Sequence, residues 1–298
     1  MKYEFILDNP DYPVSRWAAR LQINKSGYYA WRKSREERKA REVYVKKRIR
    51  EEFEKSRRSY GPDRIVMKLR NGGEKIGRRR CATYMRDMRL KSVHSRRRTR
   101  SLTDSRKSRG EGYPNIFRDE RFPIVPRMGL VSDITYLRTG EGFIYYCMVK
   151  DVVTGEVLGD HMSERMTADL VINAMLAARA RHVFKDGCIF HSDRGSQYTS
   201  KAFMELLSRY GISQSFSRVG KPGDNPWSES FFATMKKELI HWTFHRTKDS
   251  IRAAVFEYVH CFYNGTRIQK RLGYMSPRQL FNSLQVRGLA TTPEKRAA

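Results

Sequence analysis

The stretches GCIFHSDRGSQYTS (187–200) and DNPWSESFFATMKKEL (224–239) decide the fold of this chain. The first is a short apolar strand that runs into Asp193 and a tight polar loop. A strand of the parallel type delivers such a side chain to a crevice at its carboxyl end. In the second, Asn225 is a natural helix cap before an apolar run, which predicts a helix with Glu229 in its first turns. The sequence thus predicts two carboxylates, with 35 residues between them, at the ends of two neighbouring elements.

A third acid, Asp133, lies in the strand pattern VSDITYL (131–137), 60 positions before Asp193. An unpaired charge among apolar neighbours is costly to bury, so Asp133 needs a basic side chain or a metal ion as its partner. Lys236 follows Glu229 by seven residues. These two side chains share a helix face about two turns, or roughly 10 Å, apart. That face presents an acid and then a base, a pattern suited to a metal ion and a phosphate.

The residues around these acids alternate in the manner of an α/β domain. Three strand patterns joined by short glycine-containing turns predict an antiparallel meander, and helix, strand, helix and strand patterns follow it. We therefore predict a mixed five-stranded sheet with flanking helices. Its predicted strands lie at 128–139, 143–153, 156–164, 187–191 and 212–217, and its helices at 166–182, 200–210 and from 226 onward.

Basic residues are in large excess, with 60 Lys and Arg against 32 Asp and Glu and a formal net charge of +28. Such an excess indicates a polyanionic partner, most often nucleic acid, although a ribosome-associated or merely basic protein is the alternative. Residues 1–110 hold 34 of the basic and 13 of the acidic residues. We expect a basic helical DNA-binding region with its linker at 1–112, an α/β core with C-terminal helices at 120–285, and a tail at 286–298.

Two parts of the N-terminal third fit an all-α, helix-turn-helix-type region. Residues 14–33 predict two short helices around a turn, which fit a DNA-binding unit and a packed helical hairpin equally well, and a separate charged helix follows at 34–57. Between 62 and 89, a helix ends at Asn71-Gly72-Gly73 and a basic helix follows, as in a reader of the major groove. A solvated basic face is the alternative. The candidate DNA-binding residues are Arg78, Arg79, Arg80 and Arg86 on this helix and Arg96, Arg97 and Arg98 in the linker.

Cysteine usage and hydropathy indicate the compartment. The four cysteines stand alone, without a C-x-x-C pair, which fits a reducing cytoplasm. No signal peptide and no apolar run of about 18 residues is present, so we expect a cytoplasmic protein at the bacterial nucleoid and no membrane partner.

These motifs resemble those of insertion-sequence transposases of the retroviral-integrase superfamily, of the type translated from a second reading frame (orfB). The resemblance runs from about Val14 to Arg278. SGYYAW and SYGPDRI match the family's N-terminal region. The strongest words are VSDITYL, HSDRGSQYTS, DNPWSESFFATMKKEL and the closing signature YNGTRIQKRLGYMSP (263–277).

The resemblance implies a ribonuclease-H-like fold in which Asp133, Asp193 and Glu229 are the catalytic and metal-binding acids and Lys236 is a DNA-contacting base. Such a triad is expected to hold Mg²⁺ or Mn²⁺, two ions per site, for strand cleavage at element ends and for strand transfer. The implied partners are terminal-repeat DNA, target DNA, further copies of the chain on paired ends, and the upstream-frame product.

Some residues depart from the family pattern. Leu130 and Asp160 stand where Trp is usual, Gln269 stands where His is usual, and residues 221–223 differ from the usual wording. None of these changes removes a carboxylate, so activity is still expected, and the departures concern local DNA contacts.

Two other functions fit parts of the sequence. One is a non-catalytic DNA-binding regulator built on the basic N-terminal third. The other is a plain metal-dependent nuclease such as a ribonuclease H, which the basic arm and the face with Lys236 disfavour.

Overall fold

A computed structural model of the chain describes residues 1–95, 114–119, 123–218 and 224–288. The backbone divides into two compact units, Met1–Lys91 and Ser92–Ala298. Residues 112 and 120, where the sequence predicts boundaries, lie outside the described ranges. The tail predicted from residue 286 starts at the last residue of the final helix.

The first unit consists of helices. They are α1 (Lys2–Asp8), α2 (Val14–Leu21), α3 (Lys25–Lys55), α4 (Pro62–Asn71) and α5 (Arg78–Asp87). The prediction of a short helix before residue 34 and a separate one at 34–57 is wrong, because α3 is continuous. The side chain of Asn24 caps it by accepting a hydrogen bond from the backbone N–H of Ser26 at 2.9 Å. No Gly or Pro occurs from Tyr28 to Lys55 to break it.

Helices α4 and α5 pack on α3 and on each other. Along α3, Val43 is exposed, whereas Val45, Ile49 and Phe53 are buried. Helix α5 buries Cys81 and Met85. It therefore turns its basic residues toward solvent, as an amphipathic helix does.

The second unit contains the predicted sheet, with strands in the order β3-β2-β1-β4-β5. Antiparallel pairing joins β1 to β2 and β2 to β3, and parallel pairing joins β4 to β1 and to β5. The prediction of a mixed five-stranded sheet is confirmed. The strands are β1 (Gly129–Thr139), β2 (Gly142–Asp151), β3 (Val157–Ser163), β4 (Ile189–Ser192) and β5 (Ser213–Phe216).

Helices cover both faces of this sheet. They are α6 (Ile116–Asp119), α7 (Ala168–Arg181), α8 (Lys201–Arg209), α9 (Pro226–Met235), α10 (Lys248–Phe256) and α11 (Pro277–Val286). Cys147 of β2 packs with α7 and α8, whereas its neighbour Tyr146 packs with α9 and α10. Because successive strand residues point to opposite faces, the two core clusters lie on opposite sides of the sheet.

The close approach of β3 to α7 depends on Gly159. A Cβ atom there would lie 2.2 Å from the backbone nitrogen of Ala178, a distance that no side chain tolerates. Glycine is therefore required for this layer to pack.

Two π-helical turns extend the C-terminal helices, Lys236–Ile240 after α9 and Glu257–Tyr263 after α10. In the first, the N–H of His241 donates to the carbonyl of Lys236 at 2.9 Å, a bond across five residues. Such turns occur often at functional sites. No helix of the described residues is both long and apolar enough to span a bilayer.

Candidate active site

The parallel pairing of β1 with β4 places Asp133 beside Asp193. Val131 of β1 is in register with His191 of β4. Asp133 lies two residues after Val131, and Asp193 lies two residues after His191. Neighbouring strands lie about 4.8 Å apart, so the two acids lie side by side at the level where β4 ends. This place in the sheet is called the strand edge below. Asp193 belongs to the loop that follows β4, as the sequence predicts.

Helix α9 brings Glu229 to the same edge. The side-chain nitrogen of Asn225, the residue that caps α9, donates to the carbonyl of Ser132 at 3.0 Å. Ser132 is the residue before Asp133, so this bond fixes the start of α9 against the strand that bears the first acid. Glu229 lies in the first turn of α9 and is exposed to solvent.

The charges of these residues act on one another. Burial raises the pKa of Asp133 to about 7, and the negative charges of Asp193 and Glu229 add to this rise. The Lys236 ammonium and the backbone N–H of Ile134, which donates to Asp133 at 2.7 Å, oppose it. Burial and repulsion between carboxylates that share a site both raise the pKa of an acid in this way. The structure thus brings all three predicted acids and Lys236 together.

Asp193 and Glu229 are more open to solvent than Asp133. Partial removal from water raises the pKa of both carboxyls, and the N–H of Gly195, which donates to Asp193 at 3.0 Å, opposes the rise at Asp193. Two acids open to solvent beside a more buried one leave room for a ligand in front of the strand edge.

Lys236 follows α9 directly and faces this group of acids. Burial lowers its pKa, and the negative charge of Asp133 opposes that change. The ammonium nitrogen lies 5.3 Å from the ring centroid of Tyr136 on β1, within the range of a cation–π contact. Its position fits the prediction of an acid followed by a base on one helix face.

The donor set suits a divalent cation, although it is not a closed cage. Within the described ranges, no group of three or more His, Cys, Asp and Glu side chains is arranged to hold a metal ion. Mg²⁺ usually binds one or two carboxylates and completes its octahedral shell with water and substrate phosphate. Three oxygen-donor acids, one of which has its pKa raised by burial and by its acidic neighbours, therefore fit such an ion with substrate present.

A cluster of hydrogen-bonded side chains around one buried acid, Glu238, lies next to Lys236 and was not predicted from the sequence. Glu238 is buried and accepts hydrogen bonds from Arg267 at 2.6 and 2.8 Å and from the Tyr258 hydroxyl at 2.8 Å, and His94 lies 2.5 Å from it. Despite burial, Arg267 and His94 lower the pKa of Glu238 to about 2. The turn that carries Lys236 is therefore fixed to the C-terminal signature through Glu238. In the sequence, Lys236-Lys237-Glu238 resembles an ordinary solvated run, so no local signal indicated these contacts.

His191 supports the strand edge and was not predicted as a site residue. Its two ring nitrogens lie 2.8 and 3.1 Å from the hydroxyls of Ser215 and Ser217, and its ring stacks on Phe117 at 4.8 Å. Burial lowers the pKa of His191 to about 4, so the ring is neutral at pH 7. A neutral histidine whose two ring nitrogens both have hydrogen-bond partners fixes the end of β4 just before Asp193.

The predicted DNA-binding arginines fall in two groups. Arg78, Arg79, Arg80 and Arg86 lie exposed on α5, in the first unit. Arg78 donates to Asp63 at 2.7 Å, which satisfies part of its charge. Arg96, Arg97 and Arg98 lie outside the described residues.

Three of the four departures from the family pattern have structural settings, and the fourth, at residues 221–223, lies outside the described residues. Leu130 is fully buried in the core between the sheet and α7. The carboxylate of Asp160 lies 2.8 Å from the imidazole of His260. Gln269 forms an antiparallel bridge with Met275 in the closing signature. All three therefore have partners in the fold of the second unit.

Comparisons with known proteins agree with this architecture. Residues 126–222 and 229–283 match two family models described as integrase core domain, and residues 40–98 match one described as HTH-like domain. The chain is 32% identical over 289 residues to the transposase InsF for insertion sequence IS3A from Escherichia coli, which covers 95% of this chain and 99% of that protein. It is 34% identical over 257 residues to a 31 kDa protein of insertion element IS600 from Shigella sonnei, which covers 86% and 93%.

Among solved structures, the chain is similar to one from the simian T-cell lymphotropic virus intasome bound to the PP2A regulatory subunit B56 gamma. The match covers 80% of this chain and 73% of that one at 14% identity, with a TM-score of 0.46.

An HTH-like region followed by an integrase core on a ribonuclease-H-like sheet defines a class of DNA strand-transferring enzymes. Within that class, the chain belongs to the insertion-sequence transposases of the IS3 InsF kind, the second-reading-frame type that the motifs indicate.

Proposed function

We propose that Asp133, Asp193 and Glu229 form the catalytic and metal-binding triad with which this transposase cleaves DNA at the ends of its insertion sequence and joins them to target DNA. The observation that supports this proposal is the convergence of the three acids: burial raises the pKa of Asp133 to about 7, and the charges of Asp193 and Glu229 add to that rise. An acid whose pKa is strongly raised, in a place open to solvent, is typical of functional sites.

The proposed cofactor is Mg²⁺ or Mn²⁺, two ions per site, held by these three carboxylates. The chemistry that such ions would supply when bound is a lower pKa of the attacking water or hydroxyl and stabilisation of the leaving oxygen. The carboxylates supply oxygen ligands, and the charge of Lys236 binds a phosphate beside them. No side-chain nucleophile is required, because water attacks in cleavage and a DNA 3′-hydroxyl attacks in joining.

The exposed arginines of α5 are proposed to bind the DNA backbone. Each phosphate contact contributes a salt-dependent share of the affinity that does not depend on sequence. Replacement of Arg79 and Arg80 by Gln should weaken DNA binding evenly across sequences and reduce the salt slope by about 2. We propose the same role for Arg78, Arg86 and the linker residues Arg96, Arg97 and Arg98.

The proposed partners are terminal-repeat DNA, target DNA, further copies of this chain on paired ends, and the upstream-frame product. Similarity to a transposase and the net charge of +28 support DNA as the partner. We propose that the chain works where the bacterial DNA lies, in the cytoplasm at the nucleoid.

The test is an assay of cleavage and joining on an oligonucleotide that carries one end of the element. With Mg²⁺ present, Asp193→Asn and Glu229→Gln should each lower both rates by roughly a thousandfold, because metal-held carboxylates contribute several kcal/mol to the transition state. Binding to the same oligonucleotide should persist. The matched control is Glu205→Gln on α8, an exposed acid outside the site, which should keep full activity.

The two rival functions predict different outcomes. DNA binding without any Mg²⁺-dependent nicking by the unaltered chain would support a regulator. Nicking without joining would support a plain nuclease. Strand transfer that survives in Asp193→Asn would contradict the triad.

A further inference from the structure

Two aromatic side chains lie half-exposed on the strand that bears Asp133 and on its neighbour. Tyr136 follows Asp133 by three residues on β1, and Phe143 lies on the neighbouring strand β2. Each of the two is 51% exposed. Their ring centroids are 5.6 Å apart with the ring planes at 90°. The Lys236 ammonium, 5.3 Å from the Tyr136 centroid, connects this aromatic pair to the proposed active site.

Packing of the unit does not account for the exposure of these rings. The next residues along the two strands, Leu137 and Ile144, are buried against the helix layer that includes α9. Because side chains alternate between faces, Tyr136 and Phe143 point away from that core. A cross-strand aromatic pair stabilises a hairpin. That role alone does not require a lysine of the carboxylate site near the ring.

We propose that Tyr136 and Phe143 form a stacking site for an unpaired nucleobase of the DNA end, and that Lys236 binds a phosphate of the same strand. This inference rests on the proposed function, because it takes DNA as the substrate of the neighbouring carboxylates. In the free protein, Lys236 contacts the Tyr136 ring. With DNA bound, its ammonium moves to the phosphate and the base takes the open ring surface.

The chemistry of the site favours an unpaired base over a duplex. Bases within a duplex have both faces covered by their neighbours, so an aromatic side chain stacks only on a base that has left the helix. Stacking on Tyr or Phe tolerates any base, since every base has a π-face. Tyr136 and Asp133 are about 10 Å apart along β1 and start from opposite faces of the strand. Lys236 lies near both residues, so the stacked base belongs to a nucleotide near, but not next to, the cleaved phosphate.

The test measures affinity for two DNA probes with the full chain carrying Asp193→Asn, so that no strand is consumed. One probe is a blunt duplex, and the other is the same duplex with a short single-stranded thymidine tail. We expect tighter binding of the tailed duplex. Tyr136→Leu should reduce this preference roughly tenfold, because base stacking on an aromatic side chain contributes at about this level. Tyr136→Phe should retain it.

Tyr210 provides a matched control. It lies at the end of α8, is 37% exposed, and has the guanidinium of Arg179 at 5.6 Å from its ring centroid. Tyr210→Leu should leave the preference for the tailed duplex unchanged. A loss of general stability would lower binding of both probes alike, so the ratio of the two affinities isolates stacking from folding.

A photochemical readout locates the base. With 5-iododeoxyuridine in the tail, irradiation should cross-link the DNA to Tyr136 or Phe143, as identified by mass spectrometry, and Tyr136→Leu should lower the yield. An unchanged affinity ratio in Tyr136→Leu, or cross-links that map elsewhere, would overturn the stacking site. Cleavage by the chain without Asp193→Asn is measured separately, so a failed stacking site leaves a functional triad visible, and a failed triad leaves the stacking result readable.

Discussion

Asp133 and Glu238 lie in the same unit, on β1 and in the turn after α9, and both are largely removed from water, yet their pKa values move in opposite directions. The pKa of Asp133 rises to about 7, whereas that of Glu238 falls to about 2. Glu238 is surrounded by donors, above all the guanidinium of Arg267. Asp133 instead faces the negative charges of Asp193 and Glu229. A buried acid among donors stabilises the fold, whereas an acid placed among other acids is typical of a site that binds a cation.

The largest effect should come from Asp133→Asn. Loss of the carboxylate should lower DNA cleavage by roughly a thousandfold, since a ligand of the proposed metal pair is gone. The same change removes charge repulsion at a partly buried position. The free energy of unfolding at pH 8 should therefore rise by about 1 kcal/mol, as measured by urea denaturation. A large loss of stability would place Asp133 in the same class as Glu238 and would erase the contrast.

Arg267→Met should give the largest change in stability. It leaves Glu238 buried without its guanidinium, which should lower the free energy of unfolding by about 3–5 kcal/mol. Addition of Glu238→Gln to Arg267→Met should restore more than half of the loss, because the uncompensated charge is then absent. A double-mutant cycle measures this coupling. Strict additivity of the two changes would contradict the ion pair as the main source of stability.

Acid should remove the contribution of Glu238. Its folded-state pKa of about 2 lies below the value of 4.5 for an unperturbed glutamate, so its stabilisation is complete above pH 4.5 and is lost as the pH falls from 4.5 toward 2. The linked change is about 3 kcal/mol. Unfolding of the unaltered chain and of Glu238→Gln, compared across this window, should show a stability difference that shrinks with falling pH. A difference that does not change with pH would contradict this linkage.

His94→Gln should give the smallest effect. His94 is the partly exposed contact of Glu238, with 31% of its side chain open to solvent. Its loss should lower the free energy of unfolding by about 1 kcal/mol, the typical value of one hydrogen bond to a charged or neutral partner. The exposed His241, replaced by Gln, is the control and should change stability by less than about 0.5 kcal/mol. Equal effects of the two variants would contradict a stabilising contact between His94 and Glu238.

The sequence predicted the parts of the fold and site that depend on local pattern. Alternation in VSDITYL and the apolar run before Asp193 indicated two strands, and parallel pairing then placed the acids at one edge. The spacing of Glu229 and Lys236 indicated a shared helix face because helical periodicity is regular. The roles of these residues stay predictions until cleavage is measured.

What the sequence could not predict depends on contacts between distant residues. Nothing local distinguishes the buried Glu238 from the exposed acids of a charged run, because its main partner lies 29 positions away. Solvent exposure of Tyr136 and Phe143 was equally hidden, since aromatic residues in a strand pattern usually indicate the core. The sequence analysis divided α3 at residue 34, although the sequence there holds no Gly or Pro that would end a helix.

The bond between Glu238 and Arg267 also has a consequence for the order of events during synthesis. A ribosome makes the three acids and Lys236 before it makes Tyr258 and Arg267, and domains generally fold as their residues emerge. Until Arg267 emerges, burial of Glu238 leaves a charge uncompensated, at a cost of several kcal/mol, so the turn that bears Lys236 cannot be held in place. The turn that bears Lys236 therefore becomes fixed only after Arg267 has been made.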